Sequence, residues 1–399
     1  MSVPAWLVAP LASLCIGVAG CGHANAVGAA PSAASPAPPA EIDVTLFLIG
    51  DAGGPAVPPD SEPVFMALRA AAASAPHAVI VFLGDNVYPS GMPDSVTPTR
   101  AAAERALTQE LRVLQASGAR GIFVPGNHDW ESMQPGGWDA IRREERFIAT
   151  VGGGATLLPT GGSPGPVVVD VGQGVRLVAL DTQWWLQDGP KPARSEHDVI
   201  DSLRTAVRPT AQRAVVVVAH HPLASGGAHG GHFGWQDHVF PLRNIKSWLW
   251  IPLPLIGSVY PIARAEGISS QDIPSRAYGR MRVALDSAFA GAPPLIYAAG
   301  HDHTLQVIAG TTTRYVLVSG TGTFGHIDRV AALDSTRFAR SASVGSLSTE
   351  RNTYCRPSLP RRRNTFVWRR PPQPVGVSPP ANRDKSSTST SRGVAHRSR

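Results

Sequence analysis

Cysteine is nearly absent from this chain. Its 399 residues contain three, with none between positions 22 and 354. A disulfide framework and a thiolate metal cluster are thereby excluded. Charge is sparse as well, at 16%, against 43% apolar residues, which excludes an extended disordered chain. No apolar run has the length of a comfortable membrane span. Glycine and proline, 77 residues together, predict many turns. The length suits one large domain or two small ones, with a sizeable core.

The net charge of +7 is unevenly spread. Residues 335–399 hold 14 Lys/Arg and 2 Asp/Glu, whereas residues 1–334 hold 22 and 27. The body is therefore mildly acidic, and no specific nucleic-acid partner is predicted for it. Residues 5–20 are small and apolar, and the run ends Val18-Ala19-Gly20-Cys21, similar to a bacterial lipobox. Segment 1–21 reads as a signal peptide with Cys21 as the lipidated first residue of the mature protein; an ordinary secretory signal with an incidental Cys is the alternative. The expected location is an exported, membrane-anchored lipoprotein facing the periplasm or the exterior. Residues 22–40, rich in Ala, Pro and Ser, read as a flexible linker. The body spans 41–340. Residues 341–399 show no sustained period and read as a basic, disordered tail; a frame-shifted end, or an arm for anionic lipid or nucleic acid, are the other readings.

Within the body one device recurs. A short β-branched run ends in polar, metal-competent residues: VTLFLIG before Asp51, AVIVFLG before Asp85, GIFVPG before Asn127-His128-Asp129, AVVVVA before His220-His221, and PLIYAAG before His301-Asp302-His303. A sixth run, VRLVALD, ends in Asp181. Continuous apolar runs of this length predict strands buried on both faces. Helices are predicted over 62–75, 98–117, 138–149 and 276–290. The pattern is that of an α/β protein, with candidate ligands at the carboxyl ends of strands.

The donors available are carboxylates (Asp51, Asp85), a phenol (Tyr88), an amide oxygen (Asn127) and imidazoles (His220, His301, His303). Oxygen and imidazole donors suit Fe, Zn, Mn or similar ions. Seven ligands exceed one tetrahedral site but serve two metals if one carboxylate bridges. Paired metals support in-line displacement at phosphorus.

These blocks resemble the calcineurin-like metallophosphoesterases, and among them the purple acid phosphatases. The resemblance lies in Asp51-Ala52-Gly53, Gly84-Asp85-Asn86-Val87-Tyr88, Gly126-Asn127-His128-Asp129, Val217-Val218-Ala219-His220 and Gly300-His301-Asp302-His303, in that order. Most of the superfamily carries a histidine where Gly53 stands; here Tyr88 replaces that ligand, and GDNVYPSG and GHDHTLQ look most like the small tartrate-resistant type. The resemblance implies a two-sheet β-sandwich flanked by helices, four layers in all, with a dinuclear site at the strand C-termini. It implies Asp51, Tyr88 and His303 around Fe(III), Asp85 bridging, and Asn127, His220 and His301 around Fe(II), Zn or Mn. His221 is the alternative to His220, which is preferred because it stands two before Pro222. His128 and His229 would be the catalytic histidines and, with Asn127, would bind the substrate phosphate.

The implied reaction is hydrolysis of a phosphate monoester by a metal-held hydroxide, outside the cytoplasm. A phosphodiesterase or nucleotidase, or an inactive surface lipoprotein with a basic binding tail, are the alternatives. Asp129 reads as a brace for His128 or its loop, Asp302 as a turn cap, and Trp184, Trp185 and Trp235 as packing residues. The apolar insert 248–262 reads as buried packing, a wall over the site or a membrane-facing patch. The end after 340 does not look like the closing strands of such a fold.

Overall fold

The protein is described here from a computed structural model, which describes residues 42–54, 61–210, 212–244, 249–323, 328–340, 345–350 and 365–369. The signal and lipobox with Cys21, the linker 22–40 and most of the tail lie outside those residues.

The first sheet begins with β1 (Thr45–Ile49), β2 (Ala78–Phe82), β3 (Arg120–Phe123) and β4 (Thr156–Leu157), all parallel. The second contains β5 (Val167–Val171), β6 (Val175–Ala179), β7 (Ala214–Val218), β8 (Ile296–Ala299), β9 (Leu305–Ala309), β10 (Tyr315–Ser319) and β11 (Thr336–Arg340), in the order β11-β9-β10-β8-β7-β6-β5. Its centre, β6-β7-β8-β10, is parallel. The chain then returns to the first sheet through β12 (Gly345–Glu350), antiparallel to β1, and β13 (Thr365–Arg369). The sequence reading of 341–399 as disordered missed these two strands. Their pairing is long-range along the chain, so a local pattern does not reveal it.

Alternation within each strand builds the layers. Leu46 and Leu48 of β1 point inward, joining Val79, Val81, Ile122, Leu177, Val216, Val218 and Ala298 in a core between the two sheets. Phe47 and Ile49 point outward, against α1 (Pro63–Ala73), α2 (Arg100–Ser117) and α3 (Gly137–Val151). On the opposite face, Val215, Val217, Tyr297 and Ala299 pack on α5 (Glu196–Ala206) and α8 (Arg276–Phe289). Between α3 and α8 lie α4 (Gln183–Leu186), α5, α6 (Trp235–Val239) and α7 (Val259–Ala265). The result is the expected helix, sheet, sheet, helix sandwich. All six apolar runs form strands, and the four predicted helices form within two residues of their predicted ends.

The insert is not buried packing. Trp250, Ile251, Leu255, Ile256, Val259 and Ile262 are exposed, because three prolines and a tight turn keep this segment from forming one face that could dock on the core. Trp184 packs as expected, whereas Trp235 is exposed.

Candidate metal centre

Parallel pairing brings the ends of β1, β2, β3, β7 and β8 to one edge of the sandwich, and five loops start there. Asp51, Asp85 and His301 have left-handed backbones, with φ of 60°, 56° and 69°. Such values are costly for residues with a Cβ and persist only where surroundings impose them. Here the imposed turns aim three polar side chains inward. The loops also touch. A Cβ on Gly126 would lie 2.2 Å from Oδ1 of Asp85, so only glycine lets the third loop approach the second.

The seven predicted ligands meet. The Tyr88 hydroxyl lies 3.0 Å from Asp51 Oδ1, 3.0 Å from Asp85 Oδ2 and 3.4 Å from His303 Nε2. His303 Nε2 is 3.4 Å from Asp51 Oδ1, and its Nδ1 is 3.5 Å from Asp328. On the other side, Asn127 Oδ1 lies 3.0 Å from His220 Nε2 and 3.0 Å from His301 Nδ1. Asp85 stands between the two groups, with Oδ1 at 3.4 Å from His220 Nε2. Asp51 and Asp85 are also anchored by main-chain donors, His301 N to Asp51 Oδ2 (2.8 Å) and His128 N to Asp85 Oδ1 (2.9 Å).

The outward nitrogens of the imidazoles fix which nitrogen faces inward. His220 Nδ1 lies 2.8 Å from the Leu83 carbonyl, and His301 Nε2 lies 2.8 Å from the Gln271 carbonyl. A carbonyl only accepts, so those nitrogens carry protons, and Nε2 of His220 and Nδ1 of His301 are the positions left for a metal. His221 differs. Its Nδ1 faces Thr182 Oγ1 and its Nε2 faces Gln271 Oε1, both at 2.8 Å, so both ring nitrogens already have partners.

This donor set fits a cation. Burial, reinforced by the neighbouring His229, His221 and His220, holds His301 well below the ordinary imidazole range, so it stays neutral. Its lone pair then faces the Asn127 oxygen at 3.0 Å with no proton between them. Burial opposes charging His220, but Asp85 and then Asp51 outweigh it and raise its pKa to about 9. Burial likewise opposes charging His303, and Asp51 raises it to about 9. Burial raises Tyr88 well above the ordinary phenol, and Asp51 and Asp85 raise it further. One phenolic proton therefore faces two carboxylates. The facing lone pairs at His301 and Asn127, and the two carboxylates that share one phenolic proton, are contacts a multivalent ion relieves.

Two histidines stand at the rim. His128 Nδ1 lies 2.6 Å from the Pro89 carbonyl, which leaves Nε2 facing Asp85 Oδ2 at 3.9 Å; its ring lies 4.4 Å from that of Tyr88. The His229 ring lies 3.9 Å from that of His301, and its Nδ1 is 2.9 Å from Asp272 Oδ1. Arg264 grips Asp272 through two nitrogens, one of which lies 3.1 Å from His229 Nδ1.

Asp129 braces its loop as expected, whereas the Asp302 side chain bonds to a distant loop instead of capping its own turn. Asp129 accepts from Gly126 N, Val87 N and Asn86 Nδ2, and Asp302 accepts from Ser225 Oγ. Sequence reasoning missed Gln271, Asp272, Arg264 and Asp328. They belong to no block, and nothing in local spacing points to them.

The family model of the calcineurin-like phosphoesterases matches residues 44–249. No curated protein matches the chain. Among solved structures, the chain is similar to GAP50, the anchor in the inner membrane complex of Plasmodium, at 14% identity over 77% of this chain and 81% of that one, with a TM-score of 0.47. It is similar to a dimetal phosphatase from Danio rerio at 12% identity, over 77% and 99% of the two chains, TM-score 0.37. It is similar to PhoD at 11%, over 78% and 65%, TM-score 0.45. With more than half of the chain matched by the family model and the ligand loops converging on one edge of the sandwich, the chain belongs to the calcineurin-like phosphoesterases, a family of metal-dependent phosphoester hydrolases with a dinuclear centre.

Proposed function

We propose that the protein is a phosphate monoesterase of the purple acid phosphatase type, with a dinuclear Fe(III)–M(II) centre in which M is Fe, Zn or Mn. The observation that carries this reading is the Tyr88 hydroxyl, 3.0 Å from carboxylate oxygens of both Asp51 and Asp85. A phenolate is a hard, charged donor and favours a trivalent ion.

Asp51, Tyr88, His303 and Asp85 would hold the ferric ion, and Asp85, Asn127, His220 and His301 the divalent one. When bound, such a pair supplies Lewis acidity to phosphoryl oxygens and acidifies water for attack at phosphorus. The chain supplies the rest. The Leu83 and Gln271 carbonyls hold His220 and His301 in one tautomer. The Pro89 carbonyl holds His128 with Nε2 toward the centre, where it can meet a phosphate oxygen or protonate the leaving alcohol. Asp272 and Arg264 orient His229 for the same task. From the sequence of residues 1–21 we place the reaction outside the cytoplasm, on a protein anchored through Cys21.

The test is the visible absorption of air-oxidised, metal-loaded protein beside Tyr88→Phe. A tyrosinate on ferric iron gives a charge-transfer band, which the wild type should show and Tyr88→Phe should lose. An active but colourless wild type would remove iron and the subtype while leaving the family chemistry standing.

A further inference from the structure

The catalytic reading gives the insert no task. Residues 247–263 contain no charged side chain, and residues 238–265 contain Arg243, Lys246 and Arg264 but no acid. The body around this stretch is acidic overall. Its apolar side chains face water: Leu255 is 89% exposed and Ile256 is 74%, with Trp250, Ile251, Val259 and Ile262 exposed beside them. Clustered exposure of this kind marks an interaction surface.

The tip is built, not slack. Gly257 N donates to the Leu253 carbonyl and closes the turn, and Leu253 N donates to the Val239 carbonyl and ties it to α6. A Cβ on Gly257 would lie 2.3 Å from the His238 carbonyl oxygen, so the base is tightly packed. Leu255 itself has φ 71°, a left-handed backbone that a bulky side chain adopts at a cost. The turn is closed by Ile256 N on the Pro254 carbonyl, so the strained backbone holds the leucine side chain out in water.

The segment is wired to the candidate centre. α7 carries Val259, Tyr260 and Ile262 on the surface and ends at Arg264–Ala265, where the Arg264 guanidinium contacts both Asp272 and His229. The apolar surface and a rim histidine thus share one short helix.

We propose that this segment seats the protein on an anionic lipid bilayer, with Leu255 and Ile256 entering the acyl boundary, and that the substrates are phosphate monoesters borne by lipids of that bilayer. A narrow aliphatic tip suits a soft interface better than a flat protein face. Trp250 and Tyr260 have the amphipathic rings that favour the headgroup level. Arg243 and Lys246, with no acid between residues 238 and 263, complement anionic headgroups, whereas the Arg264 charge is already engaged by Asp272. Among the described residues no helix is long and apolar enough to cross a membrane, so the contact is superficial. The substrate half of the proposal rests on the monoesterase reading; the docking half does not.

The experiment uses the full chain with Cys21→Ser, so that no acyl anchor contributes, and compares it with the same chain also carrying Ile251→Ser, Leu255→Asn and Ile256→Ser. Both are sedimented with phosphatidylcholine vesicles, with and without phosphatidylglycerol. High salt screens any attachment through the basic tail. Both are then assayed, metal-loaded, on vesicle-borne phosphatidic acid and on soluble phenyl phosphate. Vesicle binding in high salt should fall at least about tenfold in the triple variant. Phosphatidic acid turnover should fall with it, while phenyl phosphate turnover holds. Equal sedimentation of the two proteins overturns the docking. So does self-association lost in the triple variant without vesicle uptake by the parent. Phenyl phosphate turnover without phosphatidic acid turnover overturns the substrate class. Should neither ester be hydrolysed, the monoesterase reading fails, and the sedimentation difference still decides the docking.

Discussion

A Cβ on Gly53 would fall 2.1 Å from the carbonyl carbon of Asn86. The loops carrying Asp51 and Asp85 are pressed together so closely that position 53 has no room for any side chain. The histidine common elsewhere in the superfamily at this place could not fit here, and Tyr88, three residues beyond Asp85, reaches into the space between the carboxylates instead. Gly53→Ala should therefore lower stability by about 2–3 kcal/mol in urea denaturation, the usual scale for overpacking a tight contact. It should also release metal, since the loops must part. Unchanged stability and metal content in Gly53→Ala would contradict the contact.

The Asp272–Arg264 pair should matter for stability at neutral pH and stop mattering in strong acid. Burial raises the Asp272 pKa, but hydrogen bonds from Arg264 and His229, together with their charges, outweigh it and leave the carboxyl below its ordinary value. A depressed folded pKa means that the stabilisation is complete above the unfolded value, about 3.9, and is lost as pH falls through the folded one. Asp272→Asn should cost about 3–5 kcal/mol at pH 7, because it leaves a largely buried guanidinium unpaired. That difference should persist near pH 5 and shrink only below about pH 4. Denaturation curves of the two proteins across this range check it; a difference that vanishes already at pH 6 rules out the ion pair as its source.

Asp181 should act in the opposite sense. Burial pushes its carboxyl up to about 8, against hydrogen bonds from Trp130 Nε1 (2.9 Å) and Trp184 N (3.3 Å). The folded protein thus holds this proton more tightly than the unfolded chain. Its contribution is complete below the unfolded value, about 3.9, and is lost as pH rises toward 8. Asp181→Asn keeps an oxygen for Trp130 and has no proton to lose. The stability of wild type relative to Asp181→Asn should therefore decline between pH 4 and pH 8, by at most about 5 kcal/mol. A constant difference across that range would show that Asp181 does not titrate there.

Truncation after Arg340 should weaken the fold. β12 covers the edge of β1, the strand that leads to Asp51. Without it, β1 becomes an open edge with unpaired main-chain groups, which invites intermolecular pairing. The shortened chain should melt at least about 5 °C lower, on the scale of 2–4 °C per kcal/mol for a domain of this size, and aggregate on heating. Identical melting of the two chains would show that the tail's strands contribute nothing to the sheet.

The layers and the seven donors were legible because both are local. An apolar run such as AVIVFLG declares a buried strand, and the polar residue that follows it marks the strand's end. Parallel pairing then leaves all such ends on one edge, which is why residues as distant as Asp51 and His301 can be grouped from their strand-end positions alone. The preference for His220 over His221 comes from the resemblance to the family, whose ligand commonly stands two before a proline, here Pro222.

Only the tertiary structure decided the rest, because the rest consists of contacts between segments that carry no mark of each other. Nothing in the sequence links Gln271 to His301, Asp272 to His229 or Asp328 to His303; each pairing exists because the fold returns a loop to the strand ends. The strands β12 and β13 lie in a segment without a readable period, since their register is set by the waiting edge of β1. The insert could not be placed either. Its residues are as apolar as a core strand, and beyond the prolines it is the turn at Gly257 and its tie to Val239 that hold them toward water.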